Sequence, residues 1–537
     1  MRFRPAVASG SISLLLTSGL IALLVSSAPR PSYAPVSESL RLMDVMEPPS
    51  PAMAPSSPAL AEYSIAPYGA PENTERYDGR PVAPIQWVAT NPASTFSVDV
   101  DTGSYANVRR FLNHGETPPP EAVRTEEMIN YFRYDYPRPT DRSQPFSVTT
   151  SISTTPWNPE SRLLRIGLRA YDVTTAARPR ANLVFLVDVS GSMDDPDKLP
   201  LVKTALSRLA DRLRPDDRVS IVVYAGNAGM VLKPTADKDA VKAALGRLSA
   251  GGSTAGGEGI QLAYDTARST FMKGGVNRIF LATDGDFNVG ISDTKALEAL
   301  VKSNRDDGIT LTTLGFGEGN YNEAMMEHIA DLGNGNYAYI DSAMEAGKVL
   351  DEQLSATLVT VAKDVKVQVE FNPAEVKQYR LIGYENRALA EEDFNNDSVD
   401  AGDIGAGHQV TALYEVMPAD AKGWADERRY APKLTSPRGG GTELGFVKLR
   451  YKLPDGQQSR LITRPVPASL MTSAAAPSGD MAFVAAVAAF GQRLRGDTFL
   501  GSFSLADARA LAGNQQGIWR EEFVRLTRLA DKRCTGD

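Results

Sequence analysis

The chain has 537 residues, which is too long for one ordinary hydrophobic core, so two to four domains are expected. Hydrophobic residues make up 42% and charged residues 23%, which are ordinary values for globular proteins and exclude a disordered chain or a polytopic membrane protein. The 65 Asp and Glu residues outnumber the 57 Lys and Arg residues, and no long basic stretch offsets the net charge of −8. A nucleic-acid partner is therefore not expected.

The N-terminus has the order of a secretory signal. Arg2 and Arg4 precede an apolar run over 12–25, and small residues follow as far as residue 34. The run is shorter than the ~20 residues that span a bilayer. A cleavable signal over 1–34 is favoured over an N-terminal membrane anchor. This predicts an exported protein, periplasmic or at the cell surface, with membrane contact at most through an uncleaved N-terminal segment.

The single cysteine, Cys534, excludes an intramolecular disulfide, and no cysteine near the signal offers a lipoprotein acylation site. With three histidines in the whole chain, zinc ligands and imidazole bases are scarce.

Beyond the signal, residues 35–90 are rich in Pro, Ala and Ser and predict a linker, either a semi-extended tether or a disordered leader. Residues 91–175 predict a small N-terminal α+β segment. In it, a strand at 94–100 is followed by helical spacing at 106–113 and 121–134, and then by strands at 146–154 and 163–170.

Residues 181–358 alternate between short apolar runs and amphipathic helical patterns. The apolar runs are typical of parallel strands buried on both faces, and they lie at 183–189, 218–224, 279–283 and 309–316. The helical patterns lie at 198–213, 238–248, 259–271, 294–304 and 322–332. Repeated βα units predict a doubly wound α/β domain with a mostly parallel sheet.

Residues 359–537 predict a C-terminal β-rich domain, a sandwich, with a helical tail. The strand-like segments lie at 365–371, 379–384, 409–416, 445–451 and 459–466. The helical segments lie at 481–494 and 519–529, with a helix start at 504–507.

Oxygen-bearing side chains cluster where the first α/β strand ends. Asp188, Ser190 and Ser192 alternate there, and oxygen ligands of this kind suit a hard ion such as Mg²⁺. Alone, this pattern fits a helix-capping loop better. However, Thr254 precedes a helix and Asp284 ends another buried strand. Ligand sites of doubly wound sheets lie outside the carboxyl ends of the strands where strand order reverses, so Asp188 and Asp284 are expected to face each other.

The five residues Asp188, Ser190, Ser192, Thr254 and Asp284 resemble the metal-ion-dependent adhesion site of the von Willebrand factor type A family, whose fold is Rossmann-like. The flanking segments STFSVDVDTGSYAN at 94–107 and MINYF at 128–132 resemble bacterial YfbK-type proteins. The resemblance implies that the two serines bind Mg²⁺ directly, with Mn²⁺ or Ca²⁺ as alternatives. It also implies that the aspartates act partly through water, that the threonine varies with state, and that a Glu or Asp of a protein partner completes the shell.

The resulting prediction is an extracytoplasmic, metal-dependent protein-binding module. The alternative is a structural scaffold of the cell envelope, in which the ion only stabilises the loop. Neither an enzyme nor a small-molecule substrate is expected, because the sequence has no Walker lysine motif, no Gly-x-Ser-x-Gly elbow and no histidine base evident for Ser190.

Three further patterns have ordinary interpretations. The run of Asp194, Asp195 and Asp197 is more typical of a solvated helix entrance than of a second cation site. Asp99 and Asp101 superficially repeat the metal motif but favour helix capping. The glycines at 315–319 favour a tight turn over a nucleotide loop.

Overall fold

The computed structural model describes residues 74–98, 101–140, 143–252, 256–285, 294–352, 356, 358–426 and 442–534. The predicted signal, most of the predicted linker, Asp99 and Thr254 lie outside these residues. Within these ranges, none of the helices combines the length and the apolar character needed to span a membrane.

The described chain alternates between β-rich and α-rich stretches. In chain order the strands are β1 (Gln86–Trp87), β2 (Ala93–Ser97), β3 (Phe146–Thr155), β4 (Asn158–Ala170), β5 (Ala181–Asp188), β6 (Arg218–Tyr224), β7 (Ala228–Thr235), β8 (Val276–Thr283), β9 (Thr310–Gly315), β10 (Tyr337–Tyr339), β11 (Thr360–Phe371), β12 (Val376–Ile382), β13 (Ala388–Leu389), β14 (Ile404–Gly405), β15 (Gln409–Pro418), β16 (Glu443–Lys452) and β17 (Ser459–Pro467). The helices are α1 (Gly103–Asn113), α2 (Thr125–Asn130), α3 (Leu199–Asp211), α4 (Lys238–Gly246), α5 (Gly256–Ser269), α6 (Thr294–Asp306), α7 (Glu323–Leu332), α8 (Ala343–Gly347), α9 (Ser469–Thr472), α10 (Gly479–Leu494), α11 (Leu505–Ala512) and α12 (Ile518–Cys534).

The central α/β unit confirms the predicted doubly wound fold. Its sheet has the strand order β10-β9-β8-β5-β6-β7, and every neighbouring pair is parallel except the edge pair β6 and β7. Alternate residues of β5 enter two different cores: Phe185 packs in the core that contains α3 and α4, and Leu186 packs in the core that contains α5. Because both faces are covered by helices, β5 is buried at every position.

The predicted β-rich region is a sandwich whose strands come from both sides of the α/β unit. One sheet has the order β1-β12-β15-β4-β3 and the other the order β13-β2-β11-β16-β17. In the first sheet β4, which precedes the α/β unit in sequence, pairs with β15, which follows it. In the second, β2 pairs with β11 in the same way. Both sheets share one apolar core, so the α/β unit is an insertion in the sandwich.

A separate helical layer unites the two ends of the described chain. Helices α1 and α2 pack with α10, α11 and α12 around one core. Aromatic rings dominate it: Phe132 makes edge contacts with Phe483 and Phe523. The helix predicted over 121–134 is wrong in length, because α2 ends at Asn130 and the apolar spacing beyond it belongs to aromatic residues of this core, such as Tyr134.

Candidate metal centre

The candidate site lies where two adjacent parallel strands end. Strands β5 and β8 run in register, with Val187 opposite Ala282, so Asp188 and Asp284 emerge at the same edge of the sheet. The next strand along the chain from β5 lies on one side of it and β8 lies on the other, so strand order reverses between them. Both carboxylates are buried, as the sequence predicts for a site at this switch point.

Hydrogen bonds from three residues orient the Asp188 carboxylate. Its Oδ1 accepts the backbone N–H of Ser190 at 2.9 Å, and its Oδ2 accepts the hydroxyls of Tyr224 at 3.0 Å and Thr283 at 2.9 Å. Burial raises the pKa of Asp188 to about 6, and the charge of Asp284 adds to this rise, while the hydrogen bonds from Ser190 and Thr283 oppose it. The carboxylate is thus oriented and incompletely compensated in charge.

The two serines place their hydroxyls side by side. Ser190 Oγ and Ser192 Oγ are 3.1 Å apart; Ser190 is buried and Ser192 is exposed. Between them, the N–H of Gly191 donates to the carbonyl of Gly252 at 3.1 Å. Gly252 has a φ of +93°, which favours glycine, and the adjacent Gly251 donates to the carbonyl of Val189 at 2.8 Å. This fastens the second loop of the motif to the first.

Thr254, the fifth position of the motif, lies two residues beyond Gly252 and outside the described residues. Its predicted role stays a prediction.

Asp284 has a cationic partner that the sequence reasoning missed. Its Oδ2 accepts Lys198 Nζ at 3.1 Å and Asn320 Nδ2 at 3.0 Å, and Lys198 Nζ also donates to Asn320 Oδ1 at 3.1 Å. Lys198 is buried against Gly317, where a Cβ would lie 2.4 Å from its side chain. The available signal was a lysine directly before α3, closing a loop that is otherwise acidic.

The donor set fits a hard divalent ion. Two oxygens at neighbouring corners of a Mg²⁺ octahedron, each about 2.1 Å from the ion, are about 3.0 Å apart, and the two serine hydroxyls have this spacing. Across the described ranges, no group of three or more His, Cys, Asp or Glu side chains is arranged to hold a metal, so a site here would rely on hydroxyls and water as well as carboxylates. The ammonium of Lys198 already supplies one positive charge beside Asp284.

The neighbouring patterns are structural. Asp194 and Asp195 are exposed, as in a solvated helix entrance. The capping prediction for Asp101 is wrong: Thr102, the residue before α1, makes no side-chain cap, and Asp101 instead accepts the N–H of Tyr337 at the start of β10. The glycines at 315–319 form a turn in which Gly317 and Gly319 have positive φ.

Comparison with family models covers nearly all of the described chain. Residues 182–355 match the von Willebrand factor type A domain, and residues 71–165 match a model described as von Willebrand factor. Residues 356–532 match the C-terminal region of the uncharacterized protein YfbK.

Two relatives and one solved structure illustrate the similarity. The uncharacterized protein YfbK of Escherichia coli K12 is 48% identical over 486 residues, covering 88% of this chain and 84% of the relative. The uncharacterized protein sll0103 of Synechocystis is 29% identical over 315 residues, covering 58% of this chain and 70% of the relative. The match to a solved structure, a von Willebrand factor type A protein from Catenulispora acidiphila, has 19% identity and a TM-score of 0.40 and covers 74% of this chain and 91% of that protein.

Proposed function

This chain belongs to the YfbK-like family of von Willebrand factor type A domain proteins, and on that premise we propose that it binds a protein partner through a divalent ion at the Asp188 loop. Domains of this type generally act as protein-interaction modules. The observation that carries the metal-dependent form of the proposal is the side-by-side placement of the Ser190 and Ser192 hydroxyls at the sheet edge where the buried Asp188 and Asp284 emerge.

In this proposal the residues divide the work by their chemistry. Ser190 and Ser192 would bind the ion directly, Asp188 and Asp284 would hold it partly through water, and Thr254 would join them in one state of the site. The backbone N–H of Ser190 donates to Asp188, which fixes the serine relative to the carboxylate. When bound, the ion supplies an electrophilic centre to which a Glu or Asp of the partner is attracted. We assign Mg²⁺ to this place, with Mn²⁺ and Ca²⁺ as alternatives, and we propose binding rather than catalysis.

We also propose that the protein acts outside the cytoplasm, in the periplasm or at the cell surface. The support is the signal-like order of residues 1–34 in the sequence.

A capture experiment tests the proposal. The immobilised full chain is exposed to envelope extract of its host in Mg²⁺ on the order of millimolar, and the capture is compared with capture in EDTA. Asp188→Ala removes the carboxylate, and Asp265→Ala, an exposed acid elsewhere on the α/β unit, is the matched control. We expect capture by the wild type and the control in Mg²⁺, with loss in EDTA and in Asp188→Ala. Capture that is independent of the metal and of Asp188 contradicts the proposal.

A structural scaffold of the cell envelope is the second candidate. The observation that favours it is the buried ion pairing between the α/β unit and the helical layer: Arg109 of α1 contacts Asp341 and Glu345 at 2.5 and 2.7 Å. A scaffold that binds through its flanking regions predicts that Ser190→Ala changes the melting temperature but leaves capture unchanged.

A further inference from the structure

The ion pair between Lys198 and Asp284 is the feature of the candidate site that the metal motif does not explain. Lys198 Nζ lies 3.1 Å from Asp284 Oδ2, and the two side chains are 6% and 0% exposed. Such a pair is expensive to desolvate, so it persists where each charge needs the other. Here Asp284 requires a positively charged partner, because the second buried carboxylate, Asp188, adds negative charge close to it.

The position of the Lys198 ammonium is fixed by the backbone around it. Lys198 directly precedes α3, and its N–H donates to the carbonyl of Asp195 at 3.0 Å. Its stem runs over Gly317, whose φ of +73° and missing Cβ make room for it. Asn320 bridges the pair, accepting from Lys198 and donating to Asp284. Three separate segments therefore hold the Lys198 ammonium against the Asp284 carboxylate, away from solvent.

Building on the proposed function, we infer that Lys198 is a tethered cation that neutralises Asp284 in the metal-free protein, and that a divalent ion binds in competition with it. Like charges repel at short range, so the ammonium weakens the binding of the ion. The same charge has the opposite effect on a partner. With Asp188 and Asp284 ionised, the ammonium leaves the ion-loaded site with a net positive charge, which attracts a carboxylate. Lys198 is thus a positioning and specificity-determining residue.

The test compares Lys198→Met with the wild type by calorimetric titration of Mg²⁺ into the full chain and by melting in EDTA. Lys242→Met is the matched control, because Lys242 also forms an ion pair on the α/β unit, with Asp211, but at a half-exposed place. We expect Lys198→Met to bind Mg²⁺ at least about tenfold more tightly than the wild type, as removal of a unit charge near the ion predicts. We also expect it to melt at a lower temperature in EDTA and to gain more from Mg²⁺. Lys242→Met should match the wild type in Mg²⁺ affinity.

A double variant separates loss of charge from loss of packing. Lys198→Met with Asp284→Asn removes both charges, and we expect it to recover most of the melting temperature that Lys198→Met loses in EDTA. If Lys198→Met does not fold in EDTA but the double variant does, the neutralising role is supported. Failure of both to fold overturns the inference, because the stem of the lysine and not its charge would then be required.

The outcomes for this inference and for the proposed function are distinguishable. An unchanged or weaker Mg²⁺ affinity in Lys198→Met overturns the inference even if the wild type captures its partner through the metal. Mg²⁺ binding by Lys198→Met but not by the wild type supports the inference and counts against metal-dependent binding by the natural protein. The absence of binding in both proteins overturns both.

Discussion

The candidate metal centre and the junction between α1 and the α/β unit around Arg109 both bury more carboxylates than cations. They differ in whether solvent and a ligand can reach the cluster. At the junction, Arg109 of α1 contacts Asp341, Glu345 and Glu522 at 2.5 to 3.0 Å, and all of these side chains are less than 10% exposed. At the candidate centre, the ammonium of Lys198 contacts Asp284, whereas Asp188 accepts from the Ser190 N–H and from the hydroxyls of Tyr224 and Thr283.

At the junction, hydrogen bonds connect the buried charged groups to one another. The Arg109 guanidinium reaches three carboxylates at once, and Tyr131 accepts from it and donates to Glu345. The candidate centre instead has hydroxyls at its mouth, including the exposed Ser192. A surplus of buried acid therefore does not mark a cation site by itself. Access from solvent and oxygen atoms that remain available to a ligand distinguish the centre from the junction.

The largest expected effect comes from breaking the junction. Arg109→Met leaves three buried carboxylates without their common partner, and we expect the free energy of unfolding to fall by about 3–5 kcal/mol. Denaturant unfolding measures it. Arg525→Met, which removes a half-exposed arginine 3.7 Å from Glu522, is the control and should cost less than about 1 kcal/mol. A loss no larger than that of the control would show that the junction contributes little to stability.

Removal of the Asp188 charge should not lower the free energy of unfolding, in contrast to Arg109→Met. Burial raises the pKa of Asp188 from 3.8 to about 6, so the carboxylate is mostly ionised at pH 7 but costs more free energy to ionise in the folded protein than in the unfolded chain. This cost is absent below pH 3.8 and reaches its full size as the pH rises through 6. Asp188→Asn keeps an acceptor for the Ser190 N–H, and we expect the unfolding free energy in EDTA at pH 7 to stay the same or rise by up to about 2 kcal/mol. A large loss, like that expected for Arg109→Met, would make Asp188 a structural residue.

Glu126 of α2 is a buried acid that is neutralised by a proton and not by a cation. Burial, together with the charges of Glu385 and Glu127, raises its pKa to about 8 from 4.5. The folded state therefore holds a proton that the unfolded state has lost, and the stability from this group is present below about pH 4.5 and lost as the pH rises through 8. We expect Glu126→Gln to be more stable than the wild type by about 1–2 kcal/mol at pH 9 and equal to it at pH 4.

Thermal melting over this pH range measures the effect of Glu126→Gln, with the exposed Glu121→Gln as the control. Parallel pH profiles of Glu126→Gln and the wild type would contradict the assignment.

The smallest expected effect is the loss of an exposed ion pair, which tests whether burial determines the energetic cost. Lys242 and Asp211 form an ion pair with 40% and 54% of their side chains exposed. Because water screens such pairs, we expect Lys242→Met to change the unfolding free energy by less than about 0.5 kcal/mol in a denaturant titration. A loss comparable to that of Arg109→Met would mean that charge pairing rather than burial controls the difference.

The parts of the molecule that the sequence predicts are those encoded over short distances. The apolar strands β5 and β8 and the helices between them follow local periodicity; Asp188 is the last residue of β5, and Asp284 directly follows β8. The pairing of β2 with β11 is not local, since the whole α/β unit separates them in sequence, and no pattern within either strand specifies the other. Lys198 is similar: a lysine before a helix is common, and its role depends on Asp284, 86 residues away.

Calorimetric titration of Mg²⁺ into the EDTA-stripped full chain and into Asp188→Asn tests the central claim most directly. We expect saturable binding by the wild type with one ion per chain, and binding at least about tenfold weaker in the variant, a difference of about 1.4 kcal/mol or more. Equal binding by both proteins, or no binding by the wild type, would contradict the claim that the Asp188 loop holds a functional ion.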